Sequence, residues 1–125
     1  MKKAIIIIFL LLLTATACYR QNRSCNDFKT GTFEFKAIIG GVEKTSRFYR
    51  NDTLEIDYFE GKSDTSSVKW INDCEYIVKK IHPKTRAEQK AMHMKILTTT
   101  DTSYTFEFSI IGNPDKQRGT VKKIN

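Results

Sequence analysis

Glu55 and Asp57 stand two positions apart in the run Leu54-Glu-Ile-Asp-Tyr58. In an extended chain at about 3.3 Å per residue, they share one face with roughly 6.5–7 Å between them. Paired carboxylates at such separations can hydrolyse glycosidic bonds. Alternation sets Leu54, Ile56 and Tyr58 on the other face, so the acidic pair is expected to meet solvent. His82 and His93, the only histidines, flank the segment between them and have no spacing that brings them together. Neither Cys25 nor Cys74 has a neighbouring ligand at C-x-x-C or C-x-x-H spacing. G-x-S-x-G, H-E-x-x-H, the Walker A loop and G-x-G-x-x-G are all absent from the chain. No catalytic residue, metal site or cofactor is expected.

Other residue types point to binding. Phe33, Phe35, Tyr58, Trp70, Tyr104, Phe106 and Phe108 recur at strand spacing. They either fill a solid core or line a cavity for a small hydrophobic ligand, as in small barrels. Lys79, Lys80, Lys84, Arg86, Lys90, Lys116, Arg118, Lys122 and Lys123 form either a solvated face or an interaction surface. Asp52-Thr53-Leu54 matches a short O-glycosylation pattern at Thr53, which reads equally as an ordinary strand residue.

The compartment is written at the N-terminus. Lys2 and Lys3 precede the apolar run Ala4–Leu13, and Thr14-Ala-Thr-Ala17 leads to Cys18. As a helix, residues 4–17 would reach about 21 Å at 1.5 Å per residue. A bilayer core is about 30 Å thick, so residues 1–17 are expected to be a signal peptide. Small residues before a cysteine resemble the lipobox of bacterial lipoproteins, which implies cleavage before Cys18 and acylation of its thiolate and new amine. Two or more acyl chains make a stable membrane anchor. The alternative is an ordinary secretory signal with Cys18 in a disulfide.

Whole-chain numbers agree with a small exported domain. The 125 residues carry 21 Lys+Arg against 14 Asp+Glu, a formal +7, with 40% hydrophobic and 11% aromatic residues. That length excludes multi-domain machines, and that aromatic content excludes a disordered chain. Export removes nucleic acid as a partner, so the basic balance points to anionic lipid or protein. Cys25 and Cys74 remain after Cys18 is acylated. In an oxidising envelope they can form a bridge, worth about 4 kcal/mol for a loop of some 50 residues, or stay as buried thiols.

Residues 18–27 read as a lipidated cysteine and polar tether, and 28–125 as one β-rich domain. Strands are expected around 32–37, 45–50, 54–58, 67–71, 74–81, 94–99, 104–110 and 119–124, separated by turn signals such as Gly40-Gly41 and Glu60-Gly-Lys62. Thr85-x-x-Glu88 has capping-box spacing and predicts one short helix near 85–92. The expected fold is mainly β, an antiparallel meander of about eight strands closing into a small barrel or sandwich.

Four segments carry a family resemblance: Cys25-Asn-Asp-Phe-Lys-Thr-Gly-Thr-Phe33, Arg50-Asn-Asp-Thr-Leu-Glu-Ile56, Val68-Lys-Trp-Ile-Asn-Asp-Cys-Glu-Tyr76 and Arg118-Gly-Thr120. Through them the chain resembles a small outer-membrane lipoprotein family of Bacteroidota. Some members bear the name DNA topoisomerase IV, an activity for which this exported chain has neither room nor an acidic metal cluster. The resemblance implies the anchor at Cys18, a β fold and a Cys25–Cys74 bridge. The Gly31-x-Phe33 start is also loosely similar to the first strand of lipocalins, with Phe33 in place of their tryptophan. The expectation is a non-enzymatic accessory or scaffold subunit of a cell-envelope protein complex. It would be membrane-held through the lipid on Cys18, with Tyr19 and the basic tether favouring the outer membrane and its periplasmic side. A lipocalin-like carrier of a small hydrophobic ligand is the alternative.

Overall fold

The computed structural model describes residues 23–125. The expected signal peptide, residues 1–17, and the expected acylation site, Cys18, lie outside the described residues.

Alternating residues and tight turns build eight antiparallel strands. They are β1 (Gly31–Ile39), β2 (Val42–Arg50), β3 (Leu54–Phe59), β4 (Lys62–Trp70), β5 (Glu75–Lys80), β6 (Met92–Thr99), β7 (Ser103–Ile110) and β8 (Gln117–Lys123). Each pairs with the next, and β8 returns to β1 through Phe33↔Lys123, Glu34↔Lys122 and Phe35↔Val121, so the sheet is a closed barrel. Closure leaves no strand edge open to another chain. The β1–β2 connection is a two-residue hairpin whose Gly40 and Gly41 take φ of 60° and 78°, the left-handed pair that a twisted two-residue turn demands. The register of β6 against β7 shifts between Ile96 and Thr98.

The barrel has two unlike ends. At its base the connections after β2, β4 and β6 meet the N-terminal segment. Cys25–Phe28 forms a single 3-10 turn with Cys25 and Phe28 buried, and Cys25 is bridged to Cys74 in the β4–β5 connection. Part of the segment expected to be a free tether is therefore the plug of the barrel. Ser24 N–H donates to Thr99 Oγ1 at 2.9 Å, and Lys123 Nζ donates to the Asp27 carbonyl at 2.7 Å. Phe28, Phe33, Phe48, Ile96, Tyr104, Phe106 and Val121 pack with Cys25 as the core above this plug.

At the other end the connections after β1, β3, β5 and β7 surround an open mouth. The longest, residues 81–91, holds no helix, contrary to the expectation for 85–92. Half of the capping box forms, with Glu88 N–H donating to Thr85 Oγ1 at 3.2 Å. Glu88's own carboxylate instead accepts from Lys84 N–H at 2.7 Å and from Lys80 Nζ at 3.1 Å. One turn follows, and then Ile111 N–H bonds the Ala91 carbonyl and Met92 begins β6. A nascent helix of one turn carries the full cost of nucleation, and sheet pairing at Met92 takes the chain first.

Candidate functional site

Inward positions on β1 and β5–β8 carry Phe35, Val78, Met92, Met94, Phe106, Phe108 and Val121, an apolar wall. Gly119 on β8 makes room for it. A Cβ there would stand 2.8 Å from Phe106 and 2.9 Å from Phe35, so the missing side chain lets both rings lie flat against the sheet. Phe35 and Phe106 meet edge to face at 5.8 Å, and Phe106 stacks on Phe108 at the same separation. The opposite wall is polar, with Ser46, Glu55, Asp57, Ser66 and Lys80. Between the walls lies a cavity of about 620 Å³. It ends below at Phe48, Tyr76 and Tyr104 and is bordered above by Ala87, Glu88 and Lys90.

The cavity floor is built around Arg50, whose side chain is fully buried. Its guanidinium has five N–H donors and makes five hydrogen bonds. Nε donates to the Lys29 carbonyl at 3.1 Å. Nη1 donates to Glu55 Oε2 at 2.9 Å and to the Tyr76 hydroxyl at 2.7 Å. Nη2 donates to the Phe28 carbonyl at 2.6 Å and to the Tyr104 hydroxyl at 3.3 Å. The rings of Phe33 and Tyr76 lie 4.8 and 4.7 Å from its central carbon. Burial works against this charge, but the Tyr76, Tyr104 and Glu55 oxygens outweigh it and hold Arg50 firmly protonated. Trp70 packs beside the cage at 4.4 Å from Tyr76, its indole N–H buried without a partner among the described residues.

Glu55 and Asp57 thus face inward, and the expectation that they meet solvent is overturned. The outward face of β3 is the apolar one, with Tyr58 half exposed on the outside of the barrel. Glu55 is spent on Arg50; burial raises its carboxyl above the usual range while the guanidinium pulls it down. Asp57 is a different case. Its carboxyl is pushed up to about 7 by burial first and then by the nearby charges of Glu55 and Asp64, with Lys80 and Arg50 opposing. Lys80 is occupied elsewhere, 2.7 Å from Asp64 and 3.1 Å from Glu88. Near neutrality Asp57 can exchange a proton with whatever occupies the cavity, or hold a cation there.

The remaining candidates separate. Phe33 is in the solid core, Phe35, Tyr104, Phe106 and Phe108 line the cavity, Trp70 belongs to the floor, and Tyr58 belongs to neither. His93 lies 3.4 Å from Glu75 on the outer face, while His82 is exposed in the β5–β6 connection. Thr53 is an exposed bend residue just before β3, its N–H bonded to Asn51 Oδ1. Lys79, Lys80, Lys84, Arg86, Lys90, Lys116 and Arg118 gather around the mouth, whereas Lys122 and Lys123 sit at the base, so the basic residues do not form a single face. Arg50 and its cage were missed by sequence reasoning. The available signal was an arginine in phase with Phe48 on an alternating strand.

Among the described residues no group of three or more His, Cys, Asp or Glu is placed to hold a metal ion, and no helix is long and apolar enough to cross a membrane. Comparison with protein-family models, curated proteins and solved structures gives no match.

Proposed function

We propose that this is a lipid-anchored envelope protein whose barrel binds a small amphiphilic molecule. The observation that carries the reading is the cavity of about 620 Å³, closed below and open above, with one apolar and one polar wall. Ligand sites span roughly 300–1,000 Å³ and combine mostly apolar lining with a few polar groups. An eight-stranded barrel is wide enough to hold one small ligand. The anchor fits this geometry. Four residues, Tyr19 to Asn22, separate Cys18 from Arg23 at the base, about 18 Å of extended chain, so the acyl chains would hold the base to the membrane and leave the mouth unobstructed.

Native mass spectrometry of the protein gently extracted from its own membrane tests the proposal. A monomer bearing acyl chains and a discrete small-molecule adduct is expected. A bare monomer that also fails to bind a hydrophobic fluorescent probe would overturn the carrier reading.

A second reading, an accessory subunit of an envelope complex, draws on the rim. Ile38, Ile39, Val42, Phe59, Ile81 and Ile111 are all exposed there, Ile38 by 75%. Apolar residues clustered on a surface often mark a contact with another molecule. A larger stoichiometric assembly in the same experiment would favour this reading.

A further inference from the structure

We infer that the cavity selects amphiphiles carrying a cationic amine, held at the Asp57 carboxylate with the apolar body against the Phe35–Phe106–Phe108 wall. The inference rests on the carrier reading and adds the chemical class of its ligand.

Charge accounting inside the barrel leads there. Two cations lie near the polar wall. Arg50 has all five donors engaged at the floor. Lys80 is shared between Asp64 and Glu88. Glu55 is paired with Arg50. Asp57 stays over: among the described residues its carboxylate enters no ion pair, although it lines the cavity and is largely withdrawn from water. A buried carboxylate without a partner is costly and tends either to take a proton or to find a cation. Burial biases Asp57 towards the first outcome, and a bound ammonium group would supply the second.

The surroundings suit an ammonium head. It has three donors and no acceptor. Asp57 accepts one of them, and the inward-facing hydroxyls of Ser46 on β2 and Ser66 on β4 stand on the strands either side of β3. Anionic heads meet the opposite situation. Glu55, Asp57 and Asp64 cluster on adjacent strands; of the cations in the lining, Lys80 and Arg118 are already paired, and Lys90 stands at the mouth, above the acidic set. A fatty acid would therefore have to be taken up protonated or with Asp57 protonated. The tail has a continuous apolar surface from Val121 near the floor to Phe108 and Met92 nearer the mouth.

The test compares decylamine, 1-decanol and decanoic acid by isothermal titration at pH 8, on the full mature protein and on Asp57→Asn. The amine is expected to bind at least tenfold more tightly than the alcohol, with the acid weakest. Asp57→Asn, its fold checked by circular dichroism, should bring the amine to within about threefold of the alcohol. In the wild type the amine's advantage should shrink between pH 8 and pH 5. Glu55, Asp64, Lys80 and Arg50 also face Asp57, but the three other than Glu55 keep their charge over that range and Glu55 stays on Arg50. Equal affinity for amine and alcohol, or an amine advantage that survives Asp57→Asn, would overturn the inference and leave the carrier reading standing. If none of the three binds, both fall.

Discussion

Replacing Arg50 by methionine removes the group on which the base of the barrel closes. The substitution keeps an unbranched apolar stem as far as the Nε position, loses the guanidinium against which Phe33 and Tyr76 pack, and deletes five hydrogen bonds at once. Glu55 is then a buried carboxylate with no counter-charge, and the Tyr76 and Tyr104 hydroxyls and the Phe28 carbonyl lose their donor. Removing one partner of a buried ion pair costs about 3–5 kcal/mol, against a stability of about 5–15 kcal/mol for a domain. At 4–8 °C per kcal/mol for a domain of this size, the melting temperature should fall by roughly 12–40 °C. Urea unfolding with the disulfide intact, followed by far-UV circular dichroism, measures the loss. The double variant Arg50→Met/Glu55→Leu discriminates the cause. If the loss comes from the stranded carboxylate, the second substitution should restore at least half of it, since a buried pair can be exchanged for apolar groups at little cost. A single variant that loses under about 1 kcal/mol, or a double variant no better than the single, would refute the reasoning.

Asp57 gives stability a pH dependence of definite sign. Its folded value of about 7 exceeds the usual 3.9, so the native state binds the proton more tightly. Stability should therefore fall by up to about 4 kcal/mol as pH rises from 4 to 7 and level off above. Asp57→Asn should remove that slope and be the more stable protein at pH 8, as read from urea midpoints at pH 5 and pH 8. Reducing the Cys25–Cys74 bridge should cost about 4 kcal/mol by the chain-entropy model and expose the Phe28 plug to proteolysis, checked by thermal melts with and without reductant. Gly119→Leu forces the Phe106 and Phe35 rings off the wall, an overpacking cost of about 1–3 kcal/mol. It should also abolish probe binding while the circular dichroism spectrum stays β-rich.

Strand positions were legible because turns and alternation are local. Gly40-Gly41, Glu60-Gly61 and Asp101-Thr102 each mark a reversal that the structure keeps, and Phe33, Phe35 and Ala37 face inward on β1 as their spacing predicts. The phase of β3 was not legible. With period two, Leu54, Ile56 and Tyr58 are as good an inner face as Glu55 and Asp57 are a poor one, and the register of pairing decides which is realised. Phe48↔Asp57 and Glu55↔Ser66 place the acidic set inside. The group that offsets the burial of Glu55 is Arg50, only five residues earlier but on the neighbouring strand, and it is the β2–β3 register, not the pattern within β3, that brings the two together. The helix at 85–92 failed for the opposite reason: its signal was real but only one turn long.

The two charged features of the interior are best understood together. An arginine sealed under aromatic rings needs acceptors from every direction, and the plug supplies two of them as the carbonyls of Phe28 and Lys29. The N-terminal turn, the disulfide and the floor of the cavity are therefore one mechanical unit: loosening the plug at Cys25 withdraws acceptors from Arg50, which loosens Glu55 beneath Asp57. The mouth has no such lock. Its longest connection is held to the polar wall by the half-buried Lys80–Glu88 contact at the rim, which salt screens and which contributes about 1 kcal/mol. Opening free energies differ in this way across one fold, so exchange of a ligand should proceed through the mouth with the base intact. Hydrogen exchange should then show amides of residues 81–91 opening far more readily than those of Phe33, Phe48 and Tyr104, and equal protection at both ends would refute the division.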